Sequence, residues 1–184
     1  MITALTMGIL VSLFLSFILT QWLKSLDEKY ILEKTHEGKL EYKVLTDIDE
    51  VVLLSEELRD TDETLAMDIE TTGLNFLTDI IQTIAISSRK TNWVIPVDHK
   101  DSPFKKGEPY NALMLESLHR ILENPRNKKV FHNAKFDLKF LINYGIKTKN
   151  VWDTKIMHHL LDENLPKSLM DLVKLYFPTE LESL

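Results

Sequence analysis

The sequence predicts an α/β fold: one mixed sheet, an antiparallel strand meander followed by alternating helices and strands, flanked by helices. Three observations carry this. Residues 64–71, TLAMDIET, alternate apolar and polar side chains with a period of two. Two more strand-like runs, DIIQTIAISS and TNWVIPVD, follow with short connections. Beyond them, segments of helical periodicity alternate with short apolar runs.

In chain order, Met1 to Leu23 carries no charged side chain and is long enough to span a bilayer. It lacks the basic start and small-residue end of a cleavable signal, so it reads as an uncleaved transmembrane anchor; the alternative is a leader from a misassigned start. Lys24, Lys29 and Lys34 would keep the rest of the chain cytoplasmic. Residues 24–40 read as a charged linker, and the folded domain is expected over 41–184. There, EYKVLTD is a short edge strand. DIDEVVLLSEELRD is a helix with Ile48, Val51, Val52, Leu54 and Leu58 near helical spacing, capped by Thr46 or Asp47.

In residues 64–71, Leu65, Met67 and Ile69 share one strand face, and Asp68 and Glu70 project from the other. TTGLN breaks the strand, with Gly73 available for a positive φ. Pro96 marks an edge strand or a strand end. The next helix, YNALMLESLHRILEN, is expected to bury Leu115, Leu118 and Leu122, with Ala112 and Leu113 beside them, and stops at Pro125. KKVFHN is a buried central strand. AKFDLKFLINYG is a helix carrying Phe136, Phe140, Leu141 and Tyr144, closed by Gly145. KNVWDTKIMHHLLDEN runs from a strand into a helix capped by Asp153 or Thr154, and Ser168 with Asp171 opens a last helix that Pro178 ends.

With 184 residues, 44% apolar content and no cysteine, the chain supports one cored domain without disulfides, thiolate zinc sites or a cysteine nucleophile. A net charge of −6 repels nucleic acid in bulk, so a polyanionic substrate would have to be met locally, by cations or a small basic patch. Two carboxylates on one face of a buried strand are costly unless paired or bound to a cation. Hard divalent ions meet that need. Alternatively, the strand lies at an edge with an acidic solvent face. A third acid, Asp137, falls in the first turn of a helix just after a buried strand, where it can point over the sheet end.

Together, MDIETTGLN and FHNAKFDLKFL resemble the first and second motifs of the 3′–5′ exonuclease domain of family A DNA polymerases, the proofreading domain of the polymerase I type in the DEDD superfamily. WVIPVDH, GIKTKNVWDTKIMHHLL and KSLMDLVKLYF resemble three further segments of that domain, so the likeness runs from about Tyr42 to Phe177. It implies an RNase H-like fold and two Mg²⁺ or Mn²⁺ ions, held by Asp68, Glu70 and Asp137, that hydrolyse the terminal phosphodiester and release nucleoside 5′-monophosphates. Leu74 would wedge against the terminal base, and Thr71 and Asn133 would contact the end nucleotide. The implied partners are a single-stranded 3′ end of DNA, with RNA open, a polymerase region on a separate or downstream chain, and a membrane through residues 1–23.

The family's third motif, a Tyr followed four residues on by an Asp, is expected well beyond Asp171, so the fold is expected to be C-terminally incomplete; Tyr176 and Glu180 copy the spacing but fall too early. A catalytically incomplete nucleic-acid-binding remnant is therefore the alternative, and an anchored scaffold another. Among the remaining polar residues, His132 reads as packed or hydrogen-bonded, and adjacent His158 and His159 diverge on their helix. Lys128, Lys129, Lys135 and Lys139 form a basic cluster able to meet a phosphate backbone.

Overall fold

The computed structural model describes residues 42–89 and 91–176. Its elements are β1 (Tyr42–Val44), α1 (Ile48–Arg59), β2 (Thr64–Thr71), β3 (Ile81–Ser87), β4 (Asn92–Pro96), α2 (Asn111–Leu122), β5 (Lys128–Phe131), α3 (Ala134–Asn143), β6 (Val151–Asp153), α4 (Thr154–Leu161) and α5 (Leu169–Tyr176). The strands form one mixed sheet in the order β1-β4-β3-β2-β5-β6. β2, β3 and β4 are the antiparallel meander, while β1 on β4, β5 on β2 and β6 on β5 run parallel. This is the mixed α/β, RNase H-like sheet that the sequence predicts. The expected anchor (1–23) and linker (24–40), with Pro178 and Glu180, lie outside the described residues; among those described, no helix is long and apolar enough to cross a membrane.

Local chemistry fixes the element ends. Asp47, not Thr46, caps α1 by accepting the Asp49 N–H at 2.9 Å. Asp153 caps α4, and Ser168 Oγ accepts the Asp171 N–H at 3.1 Å at the start of α5, one half of a capping box, while the Asp171 carboxylate accepts the Ser168 hydroxyl rather than its backbone N–H. Gly145 closes α3 with φ 81°, a conformation costly for any side chain.

The main core joins Val51, Leu54 and Leu58 of α1 to Leu65, Met67 and Ile69 of β2, Phe131 of β5 and Phe140 of α3. Since the apolar side of β2 enters this core, period two sends Asp68 and Glu70 to the other face.

Two local expectations change and one resolves between its alternatives. In α2 the buried row is Met114, Leu118, Ile121 and Leu122, whereas Leu115 is half-buried and Ala112 and Leu113 are exposed. Met114, Leu118 and Ile121 follow the i, i+4, i+7 spacing as well as the leucines do, and packing against α1 selects that face. Pro96 ends β4, one of its two expected readings, and β1 pairs on β4's far side over Asn92 to Val94. Gly73 is not in the positive-φ region; it packs closely against the Asp79 carboxylate instead.

Candidate active site

β2 is longer than its parallel partner. Its pairing with β5 covers Thr64 to Ala66, so the stretch from Asp68 to Thr71 runs beyond β5 on that side while β3 still holds the other. A register shift between Glu70 and Thr71 breaks the ladder there, the kind of irregularity that re-aims side chains at a strand end. Over this uncovered end lies the first turn of α3 with Asp137, only 4% exposed.

The charges show how near the three acids lie. Burial, then the neighbouring Asp137 and Glu70 carboxylates, push Asp68 up to about 8. Burial likewise pushes Asp137 up to about 7; hydrogen bonds from its own backbone and that of Ile69 oppose the rise, and Asp153 and Glu70 add to it. Glu70 is raised by burial. None of the ion pairs among the described residues involves any of the three. The site therefore gathers carboxyl groups that burial and one another keep protonated until a cation draws the proton off, and the donors it then offers are hard carboxylate oxygens, the set that suits Mg²⁺ or Mn²⁺. It is grouped but not closed, because no three His, Asp or Glu side chains among the described residues already stand at a common ligand distance.

Beside the acids, the loop after β2 is organised by Asp79. Its carboxylate accepts the Asn75 N–H at 2.8 Å and the Thr72 hydroxyl at 3.4 Å, and Thr72 Oγ1 in turn accepts the Ile80 N–H at 3.1 Å. A Cβ on Gly73 would stand 2.6 Å from Asp79 Oδ2, so a side chain there would push the Asp79 carboxylate off its bonds to Asn75 and Thr72. The Thr71 hydroxyl donates to Gly73 O at 2.6 Å, which ties it to this loop while its lone pairs stay available. Leu74 is carried out at 85% exposure. The side-chain amide of Asn143 at the end of α3 binds Phe76 O and holds the loop against that helix.

Between loop and helix is a cleft of about 210 Å³, lined by Leu74, Phe76, Asn133, Lys135, Phe136, Lys139 and Phe140. It brings Leu74 and Asn133 together; Thr71 is not in its lining. The expected basic cluster divides. Lys135 and Lys139 line the cleft, Lys139 with its Nζ 5.0 Å from the centre of the Phe76 ring. Lys128 lies 5.2 Å over Trp152 instead. Lys129 is fully buried, donating to Asn127 O at 3.0 Å and to Asn124 O, and burial pushes its amine down to about 8, so it cannot meet a phosphate. The alternation of β5 turns it inward, which a count of lysines could not show.

The other polar residues are engaged elsewhere. His132 places its ring nitrogens 2.9 Å from Thr154 Oγ1 and 3.1 Å from Lys167 O, and burial lowers its pKa. Tyr176 has its hydroxyl 3.2 Å from His158 Nδ1, with the two rings edge to face. Sequence reasoning missed two organising acids: Asp79, and Asp98, which accepts the Tyr144 hydroxyl at 2.6 Å while that hydroxyl accepts the Ile81 N–H at 3.1 Å. Asp79 had one signal, an acid shortly after a Gly-Asn turn; Asp98 had none, because its partner lies 46 residues away.

Residues 42–183 match a family model described as 3′–5′ exonuclease. No curated protein matches the chain significantly by sequence. Among solved structures it is similar to Escherichia coli RNase D, described as an exoribonuclease involved in structured RNA processing, with 18% identity and a TM-score of 0.62 over 76% of this chain and 34% of that one. The catalytic core of RRP6 from Trypanosoma brucei gives 20% identity and 0.58 over 74% and 34%. Brucella melitensis NrnC bound to pGG gives 22% and 0.56 over 77% and 63%, and an NrnC structure with bound Mg²⁺ gives 25% and 0.52 over 78% and 60%. The chain thus spans between about a third and just over three fifths of these four structures.

Proposed function

Because the chain belongs to the 3′–5′ exonuclease family, we propose that it removes nucleoside 5′-monophosphates from single-stranded 3′ ends, with Asp68, Glu70 and Asp137 as the ligands of two divalent ions. The observation that carries this is the meeting of three carboxyls, Asp137 buried and Asp68 and Glu70 half-buried, none of them in an ion pair among the described residues, at the uncovered end of β2. Bound Mg²⁺ or Mn²⁺ would supply an activated water and stabilise the leaving 3′ oxygen. The chain's own residues do the rest. The three carboxylates ionise to hold the ions, Leu74 wedges against the terminal base, and Thr71 and Asn133 hold the end nucleotide. Lys135 and Lys139 neutralise phosphate at the cleft rim, which lets a chain of net charge −6 approach a polyanion.

For the substrate, the motifs resemble a DNA proofreading domain, whereas RNase D is described as an exoribonuclease. We infer activity on short single-stranded ends of either sugar type, with proofreading beside a polymerase on another chain as the narrower reading. Residues 1–23 would hold the domain at the cytoplasmic side of a membrane, which fractionation with and without them tests. A second reading, binding without cleavage, is favoured by the ligand set not yet standing at common distance. One assay separates these readings: 5′-labelled DNA and RNA oligonucleotides with the full chain in Mg²⁺ or Mn²⁺. Stepwise shortening from the 3′ end, lost on Asp68→Ala, supports the nuclease; retention without shortening sinks it in favour of the binding module.

A further inference from the structure

Asn133 joins β5 to α3 with φ 71° and ψ 47°, the left-handed region that a non-glycine residue enters only at a cost. As the N-cap of α3 its side chain would ordinarily accept an amide of the first turn, yet it makes no such bond. The bonds come from elsewhere in the chain. Asp153 accepts the Asn133 N–H at 3.0 Å through Oδ1 and the Ala134 N–H at 2.8 Å through Oδ2. The same carboxylate caps its own helix, accepting Lys155 N–H at 2.9 Å and Ile156 N–H at 3.4 Å. One side chain thereby joins the starts of α3 and α4.

The second consequence concerns Lys155. Held in the first turn of α4, it sets its Nζ 3.4 Å from Asn133 Oδ1. An ammonium can only donate, so it faces the amide oxygen, and the amide N–H groups are what Asn133 offers to a ligand in the cleft it lines.

The geometry points to Asp153 as a positioning residue: by supplying the cap of α3 from outside, it holds Asn133 left-handed, frees its side chain from capping and presents its amide N–H groups to an acceptor oxygen of the 3′-terminal nucleotide. The ligand in this inference rests on the nuclease reading above. The mechanical part does not.

Asp153→Ser in the full chain separates the two duties, because serine is a good cap for its own helix but is too short to reach α3. Binding of a fluorescent single-stranded oligonucleotide, followed by anisotropy in EDTA, should weaken about five-fold in Asp153→Ser and in Asn133→Ala. The double variant should bind no more weakly than Asn133→Ala alone. Wild-type binding by Asp153→Ser, or a double variant that multiplies the two losses, overturns the proposal. Asp47→Ala, which removes the α1 cap, is the control; if it weakens binding as much, the effect is general destabilisation and the proposal falls. Peptide-resolved hydrogen exchange should show faster exchange over residues 133–137 in Asp153→Ser with 155–161 still protected. Unchanged protection over 133–137 overturns the mechanical claim even in a chain that binds no nucleic acid, whereas absent binding with the exchange result in place is a failure of the nuclease reading.

Discussion

Asp137 and Asp153 sit at the starts of successive helices, α3 and α4, yet their surroundings are opposite. Asp153 satisfies its oxygens with backbone N–H groups of residues 133, 134, 155 and 156. Asp137 is buried at 4% exposure near Glu70 and Asp153, and its carboxyl is pushed up to about 7. Position on a helix does not distinguish them; burial beside other carboxyls does, and the two backbone N–H groups that reach Asp137 do not offset it. A carboxylate saturated by amides fastens the fold, and one buried against other acids costs stability unless a cation arrives. Asp79 and Asp98 belong with Asp153, and Asp68 belongs with Asp137.

The largest test of this division is Asp68→Asn. Nucleotide release should fall about a thousandfold or more, the scale on which removal of one transition-state contact is felt. In EDTA at pH 8 the same variant should melt higher than the wild type, because it removes a half-buried charge that faces two other carboxyls and has no cation. Loss of activity together with lower metal-free stability would place Asp68 among the fastening acids and break the comparison.

The pH dependence comes next, with a smaller effect. A carboxyl raised to about 8 for Asp68, or about 7 for Asp137, holds its proton in the folded state while the unfolded chain has released it. Between about pH 4 and 8 the folded state therefore binds more protons, and metal-free stability falls as pH rises, by on the order of a few kcal/mol across the window. Ions bind the charged forms, so Mg²⁺ or Mn²⁺ should raise the melting temperature more at pH 8 than at pH 5. Melts of wild type and Asp68→Asn should converge at pH 5; a gap that widens on acidification contradicts the assignment.

For the fastening acids the sign reverses. Asp98→Ala leaves the Tyr144 hydroxyl and the Lys106 N–H without their acceptor, contacts of 2.6 and 2.7 Å, and should lower stability by about 1–3 kcal/mol in denaturant titration. Because Tyr144 also accepts from Ile81 at the start of β3, α3 should loosen against the sheet. Unchanged stability would mean that these donors find water without loss.

This contrast also explains what the sequence made legible. Asp68 and Glu70 on one face of β2, the cap at Asp47 and the close of α3 at Gly145 depend on neighbours a few residues away, so spacing reveals them. The staple from Asp153 to Asn133, the Asp98–Tyr144 contact and the inward turn of Lys129 depend on partners that only the sheet brings near. The second duty of Asp153 was hidden for that reason, its first being local. A glycine packed close to a neighbour, as Gly73 is to Asp79, and one held at positive φ, as Gly145 is, look alike in sequence.

The smallest effect divides the lysines as the acids are divided. Lys139 is exposed at the cleft with its ammonium over Phe76, and Lys129 is enclosed by the carbonyls of Asn124 and Asn127. Lys139→Ala should raise KM about three-fold with kcat little changed and reduce the slope of log binding constant against log salt by about one, since one phosphate contact is lost. Lys129→Met should leave that slope alone, because a buried ammonium releases no counterion when nucleic acid binds. Equal slopes for wild type and Lys139→Ala would remove Lys139 from the phosphate path. The cleft would then bind through Leu74, Asn133 and the aromatic rings, and the acids would have to recruit their polyanion through metal ions alone.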